Sequence, residues 1–138
     1  MEGKYLAIRR LLLPKDTNHR GEIFGGAILT EIDLAGAIEA RRHTKHDVAT
    51  IAMKEVVFKK PVHVGDVVTF WTSLMKVGTT SIHVQVEMTA SRDGACEEES
   101  VTAAELVYVA VKKDADGNYQ KVPIRDTPNS LFRYKFVD

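Results

Sequence analysis

The chain has 138 residues, 44% of them hydrophobic and 28% charged, and its 19 basic and 19 acidic residues leave a formal net charge of zero at pH 7. One ordinary globular domain with a sizeable core is expected at this length and composition. The neutral balance argues against nucleic acid or an anionic membrane as partner, no apolar run approaches the roughly 20 residues of a membrane span, and Met1-Glu2-Gly3-Lys4 opens no signal-peptide core, so a cytoplasmic protein is expected.

Residues 5–13 are apolar-rich and read as a first strand, ended by Pro14, which cannot donate to a ladder. Residues 15–22 hold Asp, Asn and Gly and read as a turn-forming loop. A helix is predicted from Gly25 to Arg42 or His43. Ala27, Ile28, Leu29, Ile32, Leu34, Ala35, Ala37 and Ile38 cover more of it than one stripe, which predicts a central helix hidden on most sides. Arg41, Arg42, His43, Lys45 and His46 at its exit complement the helix dipole.

The character then changes to strand. Residues 48–60 are rich in β-branched side chains, and Pro61-Val62-His63-Val64-Gly65-Asp66 is a turn with breakers at both ends. Residues 67–77 form the next strand, punctuated by Gly78. Residues 80–92 alternate, with Ile82, Val84, Val86 and Met88 on one face and Ser81, His83, Gln85, Glu87 and Thr89 on the other. Asp93-Gly94 signals a hairpin, residues 101–111 are the last long strand, and residues 114–118 turn the chain again. This order is α+β, one long helix against a curved five-stranded antiparallel sheet, with edges that oligomerisation would hide. The domain is expected over residues 1–124. The tail, residues 125–138, is read as irregular, packing through Leu131, Phe132, Tyr134 and Phe136 or serving a neighbouring subunit.

The candidate chemistry begins with Gly21, Gly25 and Gly26. They match neither a Walker loop nor a dinucleotide fingerprint, so they serve either tight packing or an oxyanion site of backbone amides at the helix start. Asp33 sits in the apolar helix with Leu29, Thr30, Gly36 and Ala37 at helical spacing and no basic neighbour. It is paired from the sheet, wetted at an edge, or a catalytic base or nucleophile. Glu39 instead has Arg42 and His43 on its own face and needs no further role. Asn18 reads as an Asx turn or as a group orienting water or a carbonyl.

The remaining polar groups carry weaker signals. His43 and His46 have no third ligand at metal spacing and read as helix-end charges, and His63 and His83 as solvated. Lys59, Lys60 and Arg92 form a basic rim or hold substrate phosphates; Thr79, Thr80 and Ser81 cap a turn or donate hydroxyls to that substrate. Cys96, followed by Glu97, Glu98 and Glu99, reads as an exposed turn residue without chemistry.

Pro14, Asp16-Thr17-Asn18, Gly21, Ile23-Phe24-Gly25-Gly26, Asp33, Thr50, Phe58, Pro61, Val64-Gly65-Asp66, Gly78-Thr79-Thr80-Ser81 and Val107-Tyr108-Val109-Ala110-Val111 carry a resemblance. Over residues 11–111 the chain resembles the hot-dog acyl-CoA thioester hydrolases of the YciA-like group. The resemblance implies a helix wrapped by an antiparallel sheet, a dimer with a continuous sheet, often a trimer of dimers, and active sites at the dimer interface. It implies hydrolysis of acyl-CoA without metal or cofactor: Asp33 of one subunit as base or nucleophile, Asn18 of its partner, the Gly25 and Gly26 amides as oxyanion site, and Thr50 on Asp33 or the water. Lys59, Thr80 and Ser81 would meet the nucleotide end. Two other readings stay open: a hot-dog dehydratase, which would want a histidine where the loop offers Asn18, and a non-catalytic acyl-CoA-sensing domain.

Overall fold

The computed structural model describes residues 3–92 and 97–125. The Asp93-Gly94 turn, Cys96 and the four tail anchors fall outside them. Strand β1 (Tyr5–Leu11) leads through a short 3-10 turn (Pro14–Asp16) to helix α1 (Gly25–Arg41), followed by β2 (Asp47–Phe58), β3 (Val67–Val77), β4 (Ser81–Ser91), β5 (Glu99–Lys113) and β6 (Tyr119–Lys121). The first strand ends two residues earlier than residues 5–13 suggest, because Pro14 opens the 3-10 turn instead of following the strand directly.

All pairings are antiparallel, in the order β1-β3-β4-β5-β2, with β6 on β5. The sheet therefore has six strands rather than the expected five. The sixth lies where β4 runs out: Val122 N–H donates to Ala110 O (3.0 Å) and Ile124 N–H to Thr79 O (2.9 Å), continuing the ladder beside β5. Ile124 is buried there.

The alternation in β4 places Ile82, Val84, Val86 and Met88 in the core, each fully buried. They pack with Phe70, Leu106 and Tyr108 and with the helix residues Ile28, Ile32, Ala35 and Ala40. Burial of each large aliphatic side chain stabilises by about 1.5–3 kcal/mol, which makes this face the main source of fold stability. Helix and sheet approach each other closely at position 36. A Cβ on Gly36 would lie 2.3 Å from the Tyr108 hydroxyl, itself fully buried. Gly36→Ala is expected to destabilise by about 1–3 kcal/mol through overpacking, read as a lower urea midpoint; an unchanged midpoint would contradict this packing.

The helix is covered on most sides as expected, and one stripe stays open. Leu34 and Ile38 are 52% and 38% exposed, and Ile51, Val57 and Phe58 on the edge strand β2 are about half exposed. One chain thus covers most of the helix and leaves an apolar stripe bare beside an unpaired strand edge. β2 is bulged at Glu55, whose φ of 54° breaks its register against β5 between Lys54 and Val57.

At the opposite helix end a polar cluster is buried. Glu39, 2% exposed, receives Arg42 Nη1 at 2.9 Å, Thr72 Oγ1 at 2.9 Å and a short bond from His43 Nε2. Arg42 stacks 3.9 Å over the Tyr5 ring. His43 is accordingly a buried partner of Glu39 at the helix end, on the face the two residues share. His83, expected to be solvated, is half-buried on β4, where burial and the nearby Lys76 and Lys54 hold its pKa below the ordinary value. Among the described residues no helix is long and apolar enough to cross a membrane.

Candidate active site

The loop before the helix is held from three sides. Asp16, buried, accepts Leu13 N–H at 2.9 Å and Arg10 Nη2; Arg10 also donates to Glu31 of α1 at 2.9 Å, clamping β1, loop and helix together. The Arg10 hydrogen bond and that from Leu13 N–H hold the Asp16 carboxyl below its ordinary pKa. Phe24 N–H donates to Asp16 O at 2.8 Å, fixing the point where the helix begins. A second brace joins this loop to the turn after β2. Leu12 N–H donates to Asp66 O and Gly65 N–H to Leu12 O. The buried Asp66 carboxylate takes His63 N–H at 2.9 Å and Arg92 at 3.0 and 3.2 Å, so Arg92 braces this turn.

Asn18 closes the loop. Its Oδ1 accepts Arg20 N–H (2.9 Å) and Glu22 N–H (3.1 Å), and Gly21, with φ of +78°, makes the turn. The structural reading of Asn18 is therefore realised. Two backbone donors on one side-chain atom also fix which atom is the oxygen. Nδ2 consequently points the other way, and it donates to nothing among the described residues.

Helix α1 starts uncapped. Phe24 at the N-cap makes no side-chain cap bond and no acidic residue occupies the first turn. Among the described residues the N–H groups of Gly25 and Gly26 reach no acceptor; the intrahelical pattern begins with Ala27 and Ile28 donating to Phe24 O. The Phe24 ring lies against Gly26 where a Cβ would sit 2.5 Å away, so glycine admits it. Uncapped amides at a helix start attract negative charge. Beside them opens a cleft of about 720 Å³, lined by Gly25, Ile28, Phe58, Lys59, Val62 and their neighbours.

Two turns along, Asp33 is partly buried and paired with hydroxyls rather than with a cation. Thr50 Oγ1 donates to Oδ1 at 2.7 Å, and the Tyr108 hydroxyl lies 2.7 Å from the Asp33 backbone oxygen and 3.2 Å from Oδ1. Thr50 and Tyr108 are cross-strand partners on β2 and β5, so one row of the sheet supplies both donors. Burial, and then the neighbouring Asp33 charge, push the Tyr108 phenol above its ordinary pKa, so it remains a protonated donor. A carboxylate held by neutral donors can take a proton from water or attack a carbonyl.

The other sequence candidates are dispersed. Lys59 lines the cleft and donates to Ser100 Oγ at 3.2 Å; Lys60 pairs with Glu99 at 3.5 Å. Thr80 lies in the β3–β4 turn and Ser81 opens β4; Ala110 N–H donates to Thr80 O and Gly78 N–H to Ser81 O. Gly78 and Thr79 line a separate cleft of about 470 Å³ with Ile124. Among the described residues no cluster of His, Cys, Asp and Glu is arranged for a metal. A single chain thus gathers Asp33 with Thr50 and Gly25 with Lys59, and leaves Asn18 on its loop. Tyr108 was missed as a site residue, because nothing in its spacing ties it to a helix 75 residues away.

Comparison with known proteins gives this arrangement a family. The Thioesterase superfamily pattern matches residues 20–97. The acyl-CoA thioester hydrolase YciA of Salmonella typhimurium is 36% identical over 123 residues, covering 87% of this chain and 91% of that protein. A hexameric hotdog-fold thioesterase of Campylobacter jejuni is 42% identical, with a TM-score of 0.80 over 91% of this chain and 94% of that one. An acyl-CoA hydrolase from Staphylococcus aureus, solved with butyryl coenzyme A and coenzyme A, is 30% identical, with a TM-score of 0.74 over 88% and 73%. This chain belongs to the thioesterase superfamily and, within it, to the hot-dog acyl-CoA thioester hydrolases of the YciA group.

Proposed function

We propose that the protein hydrolyses the thioester of fatty acyl-CoA to free acid and coenzyme A, in the cytoplasm, at sites each built from two copies of the chain. The carbonyl oxygen of the substrate meets the Gly26 N–H, with Gly25 beside it, where the helix dipole favours the oxyanion. Asp33 takes a proton from the attacking water, or attacks the carbonyl itself to give a mixed anhydride that water then opens. The carbon–sulfur bond breaks and the sulfur leaves as coenzyme A thiol. Asn18 Nδ2 orients the water or carbonyl, and Thr50 holds Asp33. Lys59 meets the phosphates at the mouth, and Thr80 and Ser81 donate to the same nucleotide end. Neither metal nor cofactor takes part.

The observation that carries this reading is the uncharged hydroxyl cage around Asp33, the one carboxylate of the helix with no cation beside it among the described residues. A second support comes from the Staphylococcus aureus enzyme, which was studied with alanine in place of an asparagine, an aspartate and a threonine. Those three stand fifteen and seventeen residues apart, the same intervals that separate Asn18, Asp33 and Thr50.

Spacing along the helix supports a site shared by two copies. Gly26 and Asp33 lie seven residues apart on one rigid helix, about 10 Å of rise, too far for both to touch one carbonyl. The bare seam of Leu34, Ile38 and Ile51 beside the open edge of β2 is where a second helix and strand would seat, bringing the partner's loop and helix start to Asp33. Relatives named as hexameric accord with a trimer of such dimers. Thiol release from acyl-CoAs of graded chain length tests the activity. Turnover is expected; tight acyl-CoA binding without turnover would instead favour a sensing domain.

A further inference from the structure

We infer that Tyr108 is a positioning residue that decides which oxygen of Asp33 reacts: with Thr50 it engages Oδ1 and leaves Oδ2 to meet the water or the thioester. This rests on the thioesterase reading of the same site. A carboxylate turns easily about its last torsion, so an unheld Asp would present either oxygen and spend part of its time misdirected. Here both donors converge on one atom. Thr50 Oγ1 lies 2.7 Å and the Tyr108 hydroxyl 3.2 Å from Oδ1, whereas Oδ2 accepts no hydrogen bond among the described residues.

The two donors are not equivalent. Thr50 is exposed on the edge strand, but Tyr108 is fully buried. Its single proton is shared between the Asp33 backbone oxygen at 2.7 Å and Oδ1 at 3.2 Å, so the same group fixes the height of the helix against the sheet at the reacting residue. Gly36 lies one turn on and has no Cβ, which lets the phenol reach the helix backbone at all. A phenylalanine would fill the same volume and hold neither atom. The step is then a proton passing from water to Oδ2 while the water oxygen bonds to the thioester carbon, after which the sulfur leaves with the carbon–sulfur electron pair and takes up the proton.

The test is steady-state thiol release by the full chain carrying Tyr108→Phe, Thr50→Val and both, with melting temperatures measured alongside. Loss of a hydrogen bond to a charged group is expected to lower kcat by about 10- to 100-fold in Tyr108→Phe, with KM within about 2-fold. Because both donors serve one oxygen, the double variant is expected to lose less than the product of the two single losses. Thr50→Ser, which restores a hydroxyl at the exposed position, is expected to recover most of what Thr50→Val loses, and this arm stands even if Tyr108→Phe does not fold. A Tyr108→Phe enzyme with unaltered kcat, or with its loss confined to KM, overturns the inference, as do strictly multiplicative losses. Failure here is separable from failure of the thioesterase reading. An active parent, an inactive Asp33→Ala and an unimpaired Tyr108→Phe would sink this inference alone, whereas a parent without turnover would sink the reading beneath it.

Discussion

Asp33→Ala is expected to lower kcat for acyl-CoA hydrolysis by about 10²- to 10⁴-fold, the range a positioned acid or base supplies, while the fold survives. The change is structurally mild. Alanine is the best helix former, Asp33 is only partly buried, and the helix keeps its tie to the sheet because the Tyr108 hydroxyl bonds the Asp33 backbone oxygen. Thr50, exposed on β2, turns to water. A melting temperature near that of the parent together with collapsed thiol release is the predicted pair of results. Turnover within a few-fold of the parent would remove Asp33 from the reaction.

The largest effect on stability is expected at the other end of the helix. Glu39→Ala takes a buried carboxylate away from Arg42, His43 and Thr72 at once and opens a cavity between α1 and β3. Removing one partner of a buried charged cluster typically costs about 3–5 kcal/mol, a large part of the stability of a domain this size. Burial alone would push the Glu39 carboxyl up, but the hydrogen bonds from His43 and Thr72 and the charge of Arg42 outweigh it and hold the group below its ordinary pKa. A folded value below the unfolded one means stabilisation that is complete above about pH 5 and is lost as the pH falls through the folded value. Urea midpoints measured from pH 6 down to pH 3 should therefore fall for the parent. Glu39→Gln, which keeps the shape without the charge, should begin lower and fall less steeply. Parallel curves for the two proteins would contradict this cluster's part in acid stability.

Sequence and structure agree where one physical signal dominates. Residues 67–77 were bounded by Asp66 and Gly78 and form Val67–Val77, and the alternation after Gly78 put Ile82, Val84, Val86 and Met88 on the core face. β6 escaped because three residues carry no period; it exists only because β5 extends past the end of β4. The helix is covered on most sides, as its composition indicates, and only a stripe of Thr30, Leu34, Ile38 and Arg41 is exposed. Composition does not say whether the cover of that stripe comes from the same chain, and Leu34 and Ile38 remain outside.

The site was legible to the same degree. Asp33 stood out because no cation lies at helical spacing, and Asn18, Gly25 and Gly26 because they crowd a helix start. Thr50 came through family resemblance, and its hydroxyl lies where an Asp33 partner belongs. Tyr108 was invisible because a contact 75 residues away depends on strand register and on a missing Cβ at Gly36. Of the basic residues that sequence left as either a rim or phosphate ligands, Arg92 is engaged by Asp66, while Lys59 and Lys60 line the cleft.

Co-expression of Asp33→Ala and Asn18→Ala chains, each inactive alone, tests most directly whether catalysis is shared between copies. In a mixed dimer one of the two sites regains both an intact Asp33 and an intact Asn18, so a random mixture should recover about a quarter of the parent activity. Recovery near that level is the predicted result; mixed assemblies, verified by differential tags, that stay as inactive as either variant alone would place both residues in a single chain's site and contradict it.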